Sequence, residues 1–132
     1  MRCVDTTFLI DLLRNDPKAV DKSQELESDP IVYTTEANVF EVVSGIFAQA
    51  TNKEKALHDA EQLFHTLRIL PIDHLSAVTS GKISGFLMQK GIEIDPVDCL
   101  IAGTLLINGC TSIITRNVRH FSRIPGLKVE SY

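Results

Sequence analysis

No part of the chain is apolar for long enough to cross a bilayer. The longest such run, near Cys99 to Ile107, falls far short of the roughly 20 residues a spanning helix needs. No basic segment leads into a cleavable apolar stretch at the N-terminus, so no signal peptide is expected. Cysteine is scarce. Cys3, Cys99 and Cys110 are odd in number and irregular in spacing, which excludes both a disulfide framework and a zinc site. Each stands beside apolar residues as a small buried thiol would, and the cytoplasm is the compartment this implies. His58, His65, His74 and His120 lack metal-ligand spacing, and none is read as catalytic. There is no Gly-rich phosphate loop, no nucleophile-elbow serine and no Cys–His pair. Excess positive charge is missing too: a net charge of −4 argues against a dedicated nucleic-acid-binding module.

What is present describes an ordinary globular chain of 132 residues, 44% hydrophobic and 23% charged. That length makes a single domain over residues 1–132, able to build a core without staples. Its charge is unevenly spread. Residues 1–65 hold twelve acids and six bases, residues 66–132 five acids and seven bases. No acid occurs between Cys99 and Val129, where Arg116, Arg119, Arg123 and Lys128 fall. Such a segment beside acids suits a site for metal and polyanion together, and it equally suits a solvated tail.

Strand and helix signals alternate. Met1–Val4 reads as a buried strand, followed by a helix over Thr6–Arg14 capped by Asp5 or Thr6. Pro17 opens a polar helix. Ile31–Tyr33 is a strand, and Thr34 or Thr35 caps a helix reaching Ala50. Thr51 with Glu54 makes a capping box for an amphipathic helix. Ile69–Ile72 is a short strand; Asp73 caps a helix ending near Lys90 with Gly91 beyond it. Asp95-Pro96 starts another helix, closed by Gly109. Ser112–Thr115 is a strand and Leu127–Glu130 a last, edge strand. This order predicts an α/β fold, a Rossmann-like parallel central sheet with helices on both faces.

The acids are placed unusually. Asp5 follows a strand directly, at the sheet edge where open α/β folds bind ligands, although aspartate is also a favoured helix cap. Glu41 lies opposite the apolar stripe Val39, Val42, Val43, Ile46, Phe47 and Ala50, among the small residues Ala37, Ser44, Gly45 and Ala48. Small neighbours let a ligand or another backbone approach a carboxylate. With one side apolar and the other nearly uncharged, this helix is expected to be covered on both. Asp98 heads the most apolar helix, where a third-position acid also returns a hydrogen bond to its cap. Asn117 leaves a strand at the same edge, as a metal or water ligand or as a turn residue.

Four strings, taken in order, resemble the PIN-domain family, and most nearly the VapC-type toxins of toxin–antitoxin pairs. They are Val4-Asp5-Thr6-Thr7-Phe8-Leu9-Ile10-Asp11-Leu12-Leu13, Glu41 in its helix, Asp98-Cys99-Leu100-Ile101-Ala102-Gly103, and Thr115-Arg116-Asn117-Val118-Arg119-His120-Phe121. The resemblance spans essentially the whole chain. It implies a ribonuclease dependent on Mg²⁺ or Mn²⁺, with Asp5, Glu41, Asp98 and Asn117 as catalytic residues and the three acids as metal ligands. Asn117 departs from the aspartate often found there, which bears on whether one ion or two act. Thr6, Thr115, Arg116 and Arg119 are the expected substrate contacts, while Asp11 and Asp95 match no family acid and are read as structural. RNA, a cognate antitoxin and a second copy of the chain are the implied partners. The rivals are a metal-dependent DNA nuclease and a PIN-like binding module without turnover.

Overall fold

Cys3 and Val4 are adjacent, both are buried, and they belong to two different apolar clusters. Successive side chains of a strand point to opposite faces, so a strand with no wet side lies in a sheet covered twice. The computed structural model describes residues 1–132 and contains that sheet. Its elements are β1 (Arg2–Val4), α1 (Thr6–Leu13), α2 (Pro17–Leu26), β2 (Val32–Thr35), α3 (Glu36–Gln49) and α4 (Lys53–His65). They continue with β3 (Arg68–Leu70), α5 (His74–Gln89), α6 (Pro96–Ile107), β4 (Ser112–Ile114), α7 (Val118–Phe121) and β5 (Lys128–Glu130). All strands are parallel, in the order β3-β2-β1-β4-β5, as the alternating pattern implies.

One cluster sets Cys3 and Ile113 against Leu87, Ile101, Leu105 and Phe121 from α5, α6 and α7. The other sets Val4 and Ile114 against Phe8, Leu26, Val42 and Phe64 from α1 to α4. Strands 1 to 3 extend the sheet one way and strands 4 and 5 the other. The reversal leaves a crevice at the C-terminal ends of β1 and β4, the usual ligand position in such sheets. At the opposite edge, Arg2 bonds both carboxylate oxygens of Asp29 at 2.8 Å and also reaches Glu25 and Glu130, which Lys22 joins. No helix is long and apolar enough to cross a membrane.

Most caps fall where sequence places them. Thr35 and Asn38 form a reciprocal capping box on α3, and Asp73 and Asp95 cap α5 and α6. Gly91 and Gly109, just past those two helices, adopt φ of 69° and 74°. Three expectations are corrected. Asn52, not Thr51, caps α4 by accepting from Lys55 N at 3.1 Å, since asparagine caps at least as well as threonine. The short helix α7 was not foreseen, being a single turn without apolar periodicity. And α3 is not covered on both sides: Phe40 is 64% and Phe47 51% exposed.

Helices α5 and α6 meet at Gly103. A Cβ there would lie 2.1 Å from Ser80 Oγ, 2.6 Å from its N and 2.7 Å from its Cα. The hydroxyl can rotate away; the backbone cannot. Gly103→Ala should therefore lower stability by about 1–3 kcal/mol, as overpacking does, despite alanine's better helix propensity. Gly45→Ala meets nothing within 4 Å and should hold or raise the melting point. Denaturant melts of both check this, and equal behaviour would refute the close approach.

Candidate active site

Asp5 occupies the N-cap position of α1, yet its side chain makes no cap hydrogen bond. Its carboxylate is only 2% exposed and is held from three directions. Thr115 Oγ1 donates to Oδ2 at 2.6 Å, Asn38 Nδ2 donates to Oδ1 at 3.1 Å, and Thr7 Oγ1 reaches Oδ2 at 3.3 Å. The capping role is thus left to backbone, and the carboxylate is a buried charge fixed by donors. Burial raises its pKa, and the Thr115 hydroxyl offsets part of that rise.

Glu41 is half-buried on the α3 face turned towards α1. Thr6 Oγ1 donates to its Oε1 at 2.6 Å and itself accepts from Asn38 Nδ2 at 3.0 Å. Burial pushes the Glu41 pKa up, the Thr6 hydroxyl pulls it down, and the charges of Asp5, Asp98 and Asp95 push it up further. Asp98, 6% exposed at the third position of α6, does not return to the helix cap. Its single side-chain hydrogen bond is to His120 Nδ1, 3.0 Å from Oδ2. Burial and the charges of Asp5 and Asp95 raise its pKa, while the bond to His120 lowers it. The three acids, from the α1 N-cap, α3 and α6, therefore sense one another across the crevice.

Other expected site residues are redistributed. Thr115 is fully enclosed, and its hydroxyl braces the Asp5 carboxylate. Thr6 is 9% exposed and is likewise committed to Glu41. Arg116 is anchored through one guanidinium nitrogen to the buried Asp11 at 2.7 Å, and Tyr132 Oη bonds the other Asp11 oxygen at 2.6 Å. Both Asp11 oxygens are thus bonded within the chain. Asp95 caps α6 by accepting from Val97 N at 2.8 Å. Arg119 is exposed. Asn117 is half-buried before α7; its backbone N–H donates to Thr115 Oγ1 at 2.9 Å, and its side chain makes no hydrogen bond.

Two residues of the site escaped the sequence reading. Asn38 is fully buried: its Oδ1 closes the capping box with Thr35, and its Nδ2 binds Asp5 and Thr6. The Thr-x-x-Asn spacing was the available signal. His120, set aside for want of ligand spacing, holds Asp98 from across the crevice, and no local pattern announces that.

No three acid, histidine or cysteine side chains close on one point as a metal cage. The donors facing the crevice are carboxylate and hydroxyl oxygens, which suit Mg²⁺ or Mn²⁺. Mg²⁺ characteristically takes one or two carboxylates and keeps several waters, so an open arrangement fits it better than a closed cage would.

A family model described as the PIN domain matches residues 2–127. The chain is 27% identical to the tRNA(fMet)-specific endonuclease VapC of Salmonella typhimurium over 129 residues, covering 98% of this chain and 96% of that protein. It is 29% identical to ribonuclease VapC19 of Mycobacterium tuberculosis, over 97% and 98% of the two chains. Among solved structures, DNA-bound VapBC from Salmonella typhimurium superposes with a TM-score of 0.85 at 26% identity, covering 98% of this chain and 96% of that one.

The raised acids have a consequence for stability. A carboxyl group held above its unfolded-state pKa takes up protons on folding, so folding stability falls as pH rises from the unfolded carboxylate range, about 4, through the raised folded value. Asp98→Asn removes one such charge while its amide oxygen still accepts from His120. Without metal, at neutral pH, Asp98→Asn should melt above the native protein, and the gap should close on acidification into the carboxylate range. Thermal melts across pH check this; a gap independent of pH would mean that charge is not its cause.

Proposed function

The chain belongs to the PIN domain family, and we propose that it is a Mg²⁺- or Mn²⁺-dependent endoribonuclease, the toxin of a toxin–antitoxin pair. The observation that carries this reading is the meeting of Asp5, Glu41 and Asp98 at the sheet's switch point, each raised by burial and the latter two also by neighbouring acids. Two like charges about 4 Å apart repel by roughly 4 kcal/mol at an effective dielectric near 20, a cost that a divalent cation reverses. One relative named a tRNA(fMet)-specific endonuclease and one named a ribonuclease, each matched over nearly its whole length, support RNA as the substrate.

Asp5 and Asp98 would hold the ion directly, and Glu41 would either join them or orient the attacking water. When bound, the ion supplies activation of that water and neutralises charge on the phosphate. Thr115, Asn38 and Thr6 keep the carboxylates aimed, so little reorganisation accompanies reaction. Arg116 and Arg119, on the segment leaving β4, would meet the phosphodiester backbone, Arg116 giving up its bond to Asp11. Asn117 is the fourth polar group at this edge, able to hold a water through its amide oxygen.

The partner reading is a homodimer held by a cognate antitoxin. It is supported by likeness to VapBC structures, by exposed Phe40 and Phe47 on α3, and by Leu75 and Met88 on α5, 60% and 73% exposed. A cavity of about 460 Å³ lined by Ile10, Leu13, Val42 and Ile46 would take an apolar side of that antitoxin. All three cysteines are free and buried, as suits a reducing cytoplasm.

Asp5→Asn, Glu41→Gln and Asp98→Asn should each cut Mg²⁺-dependent cleavage of single-stranded RNA at least about a hundredfold with the fold intact, several kcal/mol being the ion's usual contribution. Asp95→Asn should retain activity, because asparagine also caps helices. Gel assays on RNA and on DNA of the same sequence check this: loss in Asp95→Asn alone would reassign the site, and preference for DNA would favour the rival nuclease. Sedimentation at micromolar concentration should give a dimer, and Phe40→Ser with Phe47→Ser a monomer; a native monomer would refute the pairing.

A further inference from the structure

Asp98 has an unusual attachment for a third-position helix acid. Its carboxylate bonds no backbone group and receives one hydrogen bond, from His120. An ionised carboxylate only accepts, so the imidazole donates its Nδ1–H to Oδ2, and the other oxygen has no hydrogen-bond partner within the chain. His120 is itself set by what surrounds it. Phe121, fully buried, anchors α7 in the core, and the backbone N–H groups of His120 and Phe121 both donate to Asn117 O, at 3.1 and 3.3 Å. Asn117 N in turn donates to Thr115 Oγ1 at 2.9 Å, and Thr115 donates to Asp5 at 2.6 Å. The six residues from Thr115 to His120 thus begin on one carboxylate and end on another. The ring is no packing element: its side chain is 46% exposed and borders an open cleft of about 700 Å³ with Asp95, Pro96 and Glu93.

We propose that His120 is a positioning residue for Asp98, and that the Thr115–His120 segment is a brace setting the placement of Asp5 and Asp98 towards a shared divalent cation. The inference rests on the metal-dependent nuclease reading above. Hydrogen-bond partners of metal-ligating carboxylates typically contribute about 10–100-fold in metal affinity. Thr115 acts on Asp5 and His120 on Asp98.

The test is Mn²⁺ binding to native protein, His120→Ala and His120→Asn, followed by electron paramagnetic resonance of free Mn²⁺, with metal-free melts alongside. His120→Ala should bind Mn²⁺ about tenfold more weakly, with its metal-free melting temperature near the native value. His120→Asn carries an amide nitrogen where Nδ1 stands and should recover most of the affinity. Equal affinity in native and His120→Ala overturns the positioning role while leaving the metal site standing. An asparagine variant as weak as alanine also overturns it, because the ring and not the donated hydrogen bond would then be required. No Mn²⁺ binding by the native protein at millimolar ion overturns the nuclease reading, and this inference with it.

Discussion

Keeping negative charge out of water is the constraint around which this molecule is arranged. Asp5 and Asp98 are almost completely enclosed, and Glu41 is half so. A buried carboxylate without donors costs several kcal/mol, and neighbours of like charge add to that. The protein answers with polar side chains drawn from four elements: Thr6 and Thr7 at the start of α1, Asn38 on α3, Thr115 after β4, and His120 on α7. None of these groups carries a fixed positive charge. The nearest guanidinium on this segment, that of Arg116, is tied to Asp11 instead. The site is therefore held together yet left electrically unbalanced, which suits a place for a cation and not for a structural ion pair.

The parallel sheet makes this arrangement possible. Short strands deliver Asp5 and Thr115 side by side because β1 and β4 are hydrogen-bonded neighbours, with Asp5 N donating to Ile114 O. At the far edge the ionic pattern is the reverse. Arg2 and Lys22 there meet Glu25, Asp29 and Glu130 in mutually satisfied pairs, mostly near solvent. Pairs of that kind contribute little individually, but as a network they tie β1, α2 and β5 together at the edge opposite the acids.

Much of this was legible from residue order, for identifiable reasons. Apolar runs of β-branched residues and helical spacing report burial directly, so the sheet, the helices and the exits of Asp5 and Asp98 could be placed. Glu41 betrayed itself through its small neighbours. Asn38 did not, because one residue there serves a helix cap through its oxygen and the acid cluster through its nitrogen, and sequence reveals only the first role. His120 was missed because its partner lies 22 residues away on another helix, and only tertiary packing of Phe121 brings the ring to it. Thr6 and Thr115 were read as substrate contacts, and the structure shows each hydroxyl bonded to a carboxylate, since a hydroxyl beside an acid looks alike in sequence whether it serves solvent or charge. Phe47 belongs to a stripe that periodicity assigns to the interior, yet a single chain leaves it exposed, as it does Phe40 beside that stripe.

The double duty of Asn38 also narrows the paths along which the sequence can drift. Aspartate has the same size and one of the same oxygens, and it would close the Thr35 capping box as well as asparagine does. It would also replace the amide nitrogen now bonded to Asp5 and Thr6 with a second acceptor, setting oxygen against oxygen within the enclosed cluster. A one-base change that any helix-propensity scale would score as silent is thus excluded by charge alone. Position 38 is constrained by the acid cluster in what looks like an ordinary helix start.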